Sequence, residues 1–184
     1  MSGQLGATPG GHKSFDELTT MVLVPMVADA VNIPVIAGGG IGDVRGVIAA
    51  LALGADAVYM GTRFMVTQES ESHQRVKEAI LQSQDVCTVS VRKGYMLARH
   101  LQNTFTRTYL EMQKTGKPET DLASYLEQHS QYKAQHLGDA EGSVIGCGQV
   151  AGLINDIPRA AEVVEEIIQN FSSVIENVNR KWLG

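Results

Sequence analysis

Two glycine-rich segments carry residues that could bind an anion. Residues 37–42 (AGGGIG) follow one short apolar run, and Gly61 and Thr62 follow the next. Glycines between a strand and a helix let backbone N–H groups approach a phosphate, and the helix N-terminus adds partial positive charge. Because β/α barrels commonly bind phosphate at the loops after their last two strands, this arrangement predicts a phosphate site. Its candidate residues are Gly38, Gly39, Gly40, Gly61 and Thr62.

Two other phosphate-binding motifs do not fit these glycines. The dinucleotide fingerprint G-x-G-x-x-G would require glycine at position 43 or 45, where the chain has Asp43 and Arg45. The Walker A pattern is also absent from the sequence. The remaining alternative is structural, since glycines can simply form tight turns between strands and helices.

His12 is the candidate acid–base residue, because it follows two glycines in a predicted loop. An imidazole with a near-neutral pKa suits proton transfer, although a lone loop histidine is also typical of a solvated surface. The remaining histidines lack metal-ligand spacing, so no metal site is predicted. Cys87 and Cys147 are far apart in the sequence and are expected to be reduced thiols in the core.

The elements that position the first glycine segments are predicted to form a βαβ unit. A helix over 20–31 precedes an apolar strand over 33–37, which reads as buried on both faces. Asp43 is a plausible N-cap for the next helix, Gly54 ends it, and a second strand covers 57–60.

The character of the chain changes after Phe64. Helices are predicted over 68–84, over 97–112 from apolar residues at i, i+4 spacing, and over 122–137. A long helix follows Pro158, with an apolar stripe expected to pack in the core: Ala161, Val164, Ile168, Phe171, Ile175, Val178 and Trp182.

The predicted fold class is therefore α/β, a partial (β/α)8 TIM barrel followed by a mostly helical region. Residues 1–66 would be the C-terminal part of the barrel, 67–141 the helical region, and 142–184 a return to the barrel with a C-terminal helix. The chain has 184 residues, a net charge of −5 and no Lys/Arg cluster, which disfavours nucleic acid as a partner. With no membrane-length apolar run and no signal peptide, a cytoplasmic protein with a small-molecule substrate is expected.

Several segments together resemble a known family. They are Gly10-Gly11-His12 and residues 19–31, 33–39, 52–58 and 60–64, with a looser match over 142–145 and 148–154. The family is that of the nitronate monooxygenases, formerly 2-nitropropane dioxygenases, which includes FMN-dependent enoyl-acyl-carrier-protein reductases.

The resemblance implies an FMN-binding barrel that oxidises nitronates with O₂. His12 would lie near the flavin and take part in catalysis, Gln149 would approach the flavin, and the FMN phosphate would lie against Ala37, Gly38, Gly39, Gly40, Gly61 and Thr62. One alternative is an enoyl-acyl-carrier-protein reductase of fatty acid synthesis that uses FMN and NAD(P)H. Another is a non-catalytic barrel fragment that oligomerises.

The chain departs from the family in two respects. Thr8 and Pro9 stand where the family usually has Glu-Ala before Gly-Gly-His. In addition, a full barrel has eight strands and about 250 residues, whereas the pattern here predicts two strands before the helical region. An incomplete sheet leaves open edges and an uncovered apolar face. We therefore expect the missing N-terminal half, or a second copy of the chain, to complete the fold.

Overall fold

The computed structural model describes residues 11–13, 18–83, 86–93 and 96–183. The strands are β1 (Gly11–Lys13), β2 (Ile36–Gly38), β3 (Ala57–Tyr59), β4 (Thr88–Lys93) and β5 (Met96–Leu101). The helices are α1 (Thr20–Ala30), α2 (Val44–Ala52), α3 (Thr62–Met65), α4 (Gln74–Leu81), α5 (Thr104–Lys114), α6 (Glu119–Gln128), α7 (Gln131–Leu137) and α8 (Ala160–Trp182), and a 3₁₀ turn spans Gln149–Leu153.

The predicted βαβ unit is confirmed. β2 and β3 pair in parallel, with Ile36 opposite Ala57 and Gly38 opposite Tyr59, and α2 connects them. Asp43 caps α2 by accepting hydrogen bonds from two backbone amides. Gly54 follows the helix with φ of 97°, a conformation that favours glycine.

The helix predicted over 97–112 is wrong in its first part. Residues 96–101 form β5, which pairs antiparallel with β4 and with β1. Alternate side chains, Ala98 and His100, are buried, which is the period of a strand, and the spacing of Leu97 and Leu101 fits a helix only by coincidence. The helix starts at Thr104, where Asn103 and Thr106 form a capping box.

Two other predicted helices are shorter than expected. α4 begins only at Gln74, because the preceding turns wrap around the buried ammonium of Lys77. The Nζ atom of Lys77 donates to the carbonyl oxygens of Thr67 at 2.6 Å and Ser70 at 2.9 Å. The helix predicted over 122–137 is interrupted at His129, which separates α6 from α7.

The core consists of three apolar clusters. One lies between α1, α2, α8 and the inner surface of the parallel pair, around Val24, Ala37 and Ala50. The other two belong mostly to residues 67–158. One surrounds Val76, Ile80 and Ile145, and the other surrounds Phe105 and Tyr109. The region predicted as helical thus also contains the β4–β5 hairpin, and the proposed domain boundaries stay a prediction.

The prediction that the parallel strands are buried on both faces is wrong for the face opposite the helices. Ala37 is 3% exposed, whereas its neighbour Ile36 is 67% exposed and Tyr59 is 69% exposed. The reason is that the helices α1, α2 and α8 all pack on the Ala37 side. The expected uncovered apolar face is therefore confirmed.

The stripe of α8 that was expected in the core is mostly exposed. Val163 is buried, and Ile167 and Phe171 pack against the cluster of the parallel pair. The neighbouring flank of the helix, with Ile168 and Trp182, has no cover from any residue that the structure describes. The helix thus packs on one side of its apolar surface and leaves the other side open.

Cys87 and Cys147 are free thiols buried in the same apolar cluster, as predicted. Burial raises the pKa of Cys147 to about 12, so this thiol stays protonated and unreactive at neutral pH. Within the described part of the chain, the helices are too short or too polar to span a membrane.

Candidate functional site

A cavity of about 270 Å³ brings together residues from distant parts of the chain. It contains Gly39 and Gly40 of the first glycine segment and Gln149 of the 3₁₀ turn, three of the residues predicted for the site. The full lining is Thr19, Thr20, Met21, Gly39, Gly40, Ile41, Gly46, Ala49, Ala50, Leu53 and Gln149.

The first glycine segment has a backbone that requires glycine. Gly39 and Gly40 have φ of 107° and 75°, values that side chains disfavour. A Cβ atom built at Gly40 would meet no heavy atom within 4 Å, so there is open space beside its backbone. The Thr20 hydroxyl donates to the Gly39 carbonyl oxygen at 2.9 Å and fixes the segment against the start of α1.

The second glycine, Gly61, follows the neighbouring strand at the same edge of the sheet, although neither it nor Gly38 lines the cavity. Gly38 and Tyr59 are register partners, and Gly40 and Gly61 each come two residues after them. Gly61 has φ of −92°, which other residues also adopt, and a Cβ atom there would again meet only open space. Both strand ends therefore have room for a ligand atom close to the backbone.

The amides of the first segment are available as donors. Among the residues that the structure describes, none accepts a hydrogen bond from the backbone N–H of Gly40, Ile41 or Gly42. Buried or partly buried amides are normally paired, so this row of donors suits an anion.

The start of α2 carries the carboxylate of Asp43, which would repel an anion bound nearby. Asp43 accepts hydrogen bonds from the amides of Arg45 and Gly46, so these two donors are already used. The Arg45 guanidinium forms an ion pair with the same carboxylate. The hydrogen bond from Arg45 lowers the pKa of Asp43, aided by the backbone amides and opposed by partial burial. The pair is neutral overall, which limits the repulsion of a nearby phosphate.

Thr62 lies at the second strand end but its side chain faces another segment. It is buried, and its hydroxyl oxygen accepts a hydrogen bond from the Gly148 amide at 2.9 Å. The neighbouring Arg63 donates to the Asp156 carboxylate at 2.8 Å and to its carbonyl oxygen at 3.1 Å. Together these bonds hold residues 148–156, including Gln149, against α3.

Gly42 allows the 3₁₀ turn to approach the first glycine segment. A Cβ atom at this position would lie 2.3 Å from Cγ2 of Val150, closer than real side chains come. Val150 is buried and follows Gln149 directly. The absence of a side chain at Gly42 therefore helps to place Gln149 at the cavity.

Other predicted site residues lie apart from this cavity. Ala37 is buried in the cluster beneath the helices, so only its backbone could contribute to a ligand site. The backbone of His12 lies in β1, opposite Ala98 of β5, and its side chain is outside the described part of the chain. The catalytic role of His12 stays a prediction.

Sequence reasoning missed two features of the site. Thr19 and Thr20 line the cavity, and the signal for them was a pair of hydroxyl residues at a helix start within a resembling segment. The Arg63–Asp156 pair joins residues 93 positions apart, so no local sequence pattern predicts it. Over the described residues, no group of three or more His, Cys, Asp or Glu side chains could hold a metal ion.

Comparisons with known proteins match the sequence of this chain to one family. The family model for nitronate monooxygenase matches residues 4–170. A probable nitronate monooxygenase from Staphylococcus aureus (strain MSSA476) is 33% identical over 181 residues, which cover 93% of this chain and 50% of that protein.

Two solved structures have similar folds. FabK from Thermotoga maritima has a TM-score of 0.87 and 39% identity, over 96% of this chain and 55% of that one. A nitroalkane oxidase from Streptomyces ansochromogenes has a TM-score of 0.74 and 29% identity, over 94% and 52%. The chain thus spans about half the length of the relatives it matches. It belongs to the nitronate monooxygenase family.

Proposed function

We propose that this chain carries the phosphate-binding part of an FMN-dependent oxidoreductase of the nitronate monooxygenase type. The observation that supports this most is the pair of glycines, Gly40 and Gly61, at one edge of the parallel pair with open space beside both. The donors of residues 40–42 suit the phosphate dianion at the end of FMN.

Each predicted residue has a distinct role in this proposal. Backbone atoms of residues 37–40, together with Gly61, hold the phosphate, and Gln149 reaches the flavin from the 3₁₀ turn. Thr62 orients the segment of Gln149 and has its hydroxyl hydrogen left to donate. When bound, FMN supplies the redox chemistry. His12 handles the proton of the substrate.

The proposed reaction is the oxidation of a nitronate or nitroalkane with O₂. Support comes from the matching family model, from the S. aureus relatives and from the nitroalkane oxidase with a similar fold. The proposed architecture is the last two strands of a (β/α)8 barrel, followed by residues 67–141 as the inserted region and by residues 142–184, which return to the barrel and end in α8.

The second candidate is an enoyl-acyl-carrier-protein reductase that uses FMN and NAD(P)H. T. maritima FabK, an enoyl-acyl-carrier-protein reductase, has 39% identity to this chain, against 29% for the nitroalkane oxidase. Both candidates need the same phosphate site, so that site does not distinguish between them.

The test is flavin binding followed by two assays on the flavin-loaded protein. Consumption of O₂ with a nitronate supports the first candidate, and oxidation of NADH with crotonyl thioester supports the second. A preparation that stays colourless after addition of FMN, both alone and fused to the portion of T. maritima FabK that this chain does not match, would leave the non-catalytic fragment as the explanation.

The variant His12→Ala tests the proposed proton transfer. It should retain FMN and lose turnover by about 10²- to 10⁴-fold, the usual contribution of a general acid or base. Unchanged turnover would contradict a role of His12 in proton transfer and would favour the alternative of a solvated surface histidine.

A further inference from the structure

We propose that Thr20 is a positioning residue for the phosphate of FMN. Its hydroxyl sets the direction of the peptide group between Gly39 and Gly40, so that the Gly40 N–H is held ready for the phosphate. The protein then prefers FMN to riboflavin, the same flavin without a phosphate. This inference rests on the proposed function, because it assigns a further residue to the same phosphate site.

One hydrogen bond determines the orientation of this peptide group. The Thr20 hydroxyl donates to the Gly39 carbonyl oxygen at 2.9 Å, across 19 residues of chain. The peptide group is trans, so its carbonyl and its N–H point in opposite directions. The bond that turns the Gly39 carbonyl toward α1 therefore turns the Gly40 N–H away from α1.

The backbone alone does not fix this orientation. Gly39 and Gly40 both have positive φ, and glycine adopts positive and negative φ about equally well. A peptide group between two glycines can therefore rotate at little cost. Over the described residues, the Gly39 carbonyl oxygen accepts no other hydrogen bond, and the Gly40 N–H donates none. The Thr20 hydroxyl thus supplies the restraint that the backbone lacks.

Thr20 is well placed to hold this bond. It is the first residue of α1, and Val24, about one turn further on, anchors the helix in the apolar cluster of Ala37 and Ile41, which flank the glycines. A threonine inside a helix often bonds the carbonyl oxygen four residues earlier in the same helix. At the first helical position no preceding turn exists, so the hydroxyl is available for Gly39.

The direction of this peptide group matters because its two orientations have opposite effects on a phosphate. With the Thr20 bond in place, the Gly40 N–H joins the donors of residues 40–42, and the backbone at Gly40 faces open space. In the flipped orientation, the Gly39 carbonyl oxygen would take the place of that N–H and would repel a dianion. Riboflavin ends in a neutral hydroxyl, which can both donate and accept, so its binding should not depend on the flip.

The test uses three variants of Thr20 and one control. Thr20→Val removes the hydroxyl at nearly constant volume, and Thr20→Ser keeps it. Thr20→Ala removes the hydroxyl with less bulk, which guards against a misfit of valine. The control is Thr115→Val, because the Thr115 hydroxyl likewise donates to a backbone carbonyl oxygen, that of Glu111 at 2.8 Å, at the end of α5.

The first measurement needs no flavin. The amide nitrogen of Gly40 belongs to the same peptide group as the Gly39 carbonyl, so its NMR resonance responds to the Thr20 bond. In the isotopically labelled chain, this resonance should move in Thr20→Val and Thr20→Ala, stay near its wild-type position in Thr20→Ser and be unaffected by Thr115→Val. A Gly40 resonance that does not move when the hydroxyl is removed would overturn the proposal.

The second measurement compares FMN with riboflavin by flavin fluorescence, in the chain alone and fused to the portion of T. maritima FabK that it does not match. Thr20→Val and Thr20→Ala should weaken FMN binding by about 3- to 10-fold, the value of one hydrogen bond, and leave riboflavin binding unchanged. Thr20→Ser should retain the FMN affinity, and Thr115→Val should not alter it. An equal loss for both flavins would show that Thr20 only supports the fold.

The role of Thr20 and the phosphate site fail in different ways. Equal affinities of the wild-type protein for the two flavins would reject the phosphate site and this inference with it. A wild-type preference for FMN that survives in Thr20→Val and Thr20→Ala would reject the role of Thr20 and leave the phosphate site intact.

Discussion

Two parts of the chain differ in burial. One is residues 18–66 and 160–183, which belong to the proposed barrel and are here called the barrel part. The other is residues 67–158, the proposed insertion together with the segment that leads to α8, here called the inserted part. The inserted part encloses large side chains completely, with Phe105 and Ile80 at 0% exposure and Tyr109 at 1%. In the cluster of the barrel part, half of the six buried residues are alanines, namely Ala37, Ala50 and Ala55, and none is aromatic. Of the 17 large hydrophobic side chains that are exposed among the described residues, however, 13 belong to the barrel part.

This difference shows which part of the fold is complete within the described residues. The inserted part has a hairpin, helices and two apolar clusters that close on one another, and bonds through Thr62 and Arg63 join it to the barrel part. The barrel part has one covered face and one open face. Stability should therefore depend mainly on the inserted part, while ligand binding should depend on the barrel part.

The largest expected effect is the loss of a buried aromatic side chain in the inserted part. Phe105 stacks on Tyr109 and Tyr125 with ring centroids 5.7 and 5.4 Å apart. Phe105→Ala should lower the free energy of unfolding by about 3–5 kcal/mol in urea denaturation. The comparison variant is Tyr59→Ala in the barrel part, expected to change it by less than about 0.5 kcal/mol. Similar losses for both variants would remove the contrast between the two parts.

A smaller effect is expected where the two parts approach most closely. Gly42→Ala would place a methyl group against Val150 and should cost about 1–3 kcal/mol, as overpacking does. Adding Val150→Ala should restore part of that loss, which a double-mutant cycle measures. If the cycle shows no coupling between the two positions, the close approach of the 3₁₀ turn is wrong.

The hydrogen bond from Gly148 to Thr62 should be worth a comparable or slightly smaller amount. Thr62→Val leaves a buried amide without an acceptor and should cost about 1–3 kcal/mol. Thr108→Val is the control, because that threonine is exposed on α5. Faster hydrogen exchange at Gly148 in Thr62→Val alone is the expected readout, and equal exchange in both variants would contradict the bond.

The smallest effect concerns the cap of α2 and its dependence on pH. The folded-state pKa of Asp43 is lowered, so its contribution is present at neutral pH and is lost as pH falls below about 3.9, its unfolded value. Asp43→Asn keeps a capping oxygen without this titration. The advantage of the wild-type chain over Asp43→Asn should shrink by at most about 1 kcal/mol between pH 7 and pH 3. If the stability advantage of the wild-type chain over Asp43→Asn grows as pH falls, the lowered pKa of Asp43 is wrong.

Much of the barrel part could be predicted from local sequence, because glycines, the Asp43 cap and short apolar runs act over a few residues. The exposure of Ile36 could not be predicted from local sequence, since the burial of a strand residue depends on which elements pack on its face of the sheet. The sequence predicts a helix at β5 because the spacing of Leu97 and Leu101 also fits a helix. The partners of Thr62 and Arg63 are 86 and 93 residues away, and only the fold brings them together.

The central claim is that Gly40 and Gly61 hold a phosphate, and the most direct measurement compares FMN with riboflavin, which lacks it. Flavin fluorescence measures binding to a fusion of this chain with the portion of T. maritima FabK that the chain does not match. FMN should bind at least about 10-fold more tightly than riboflavin, equivalent to about 1.4 kcal/mol. Gly61→Val fills the open space without backbone strain and should abolish this preference, while Ala123→Val on α6 should not. Equal affinities for the two flavins, or a preference that Gly61→Val leaves unchanged, would contradict the account.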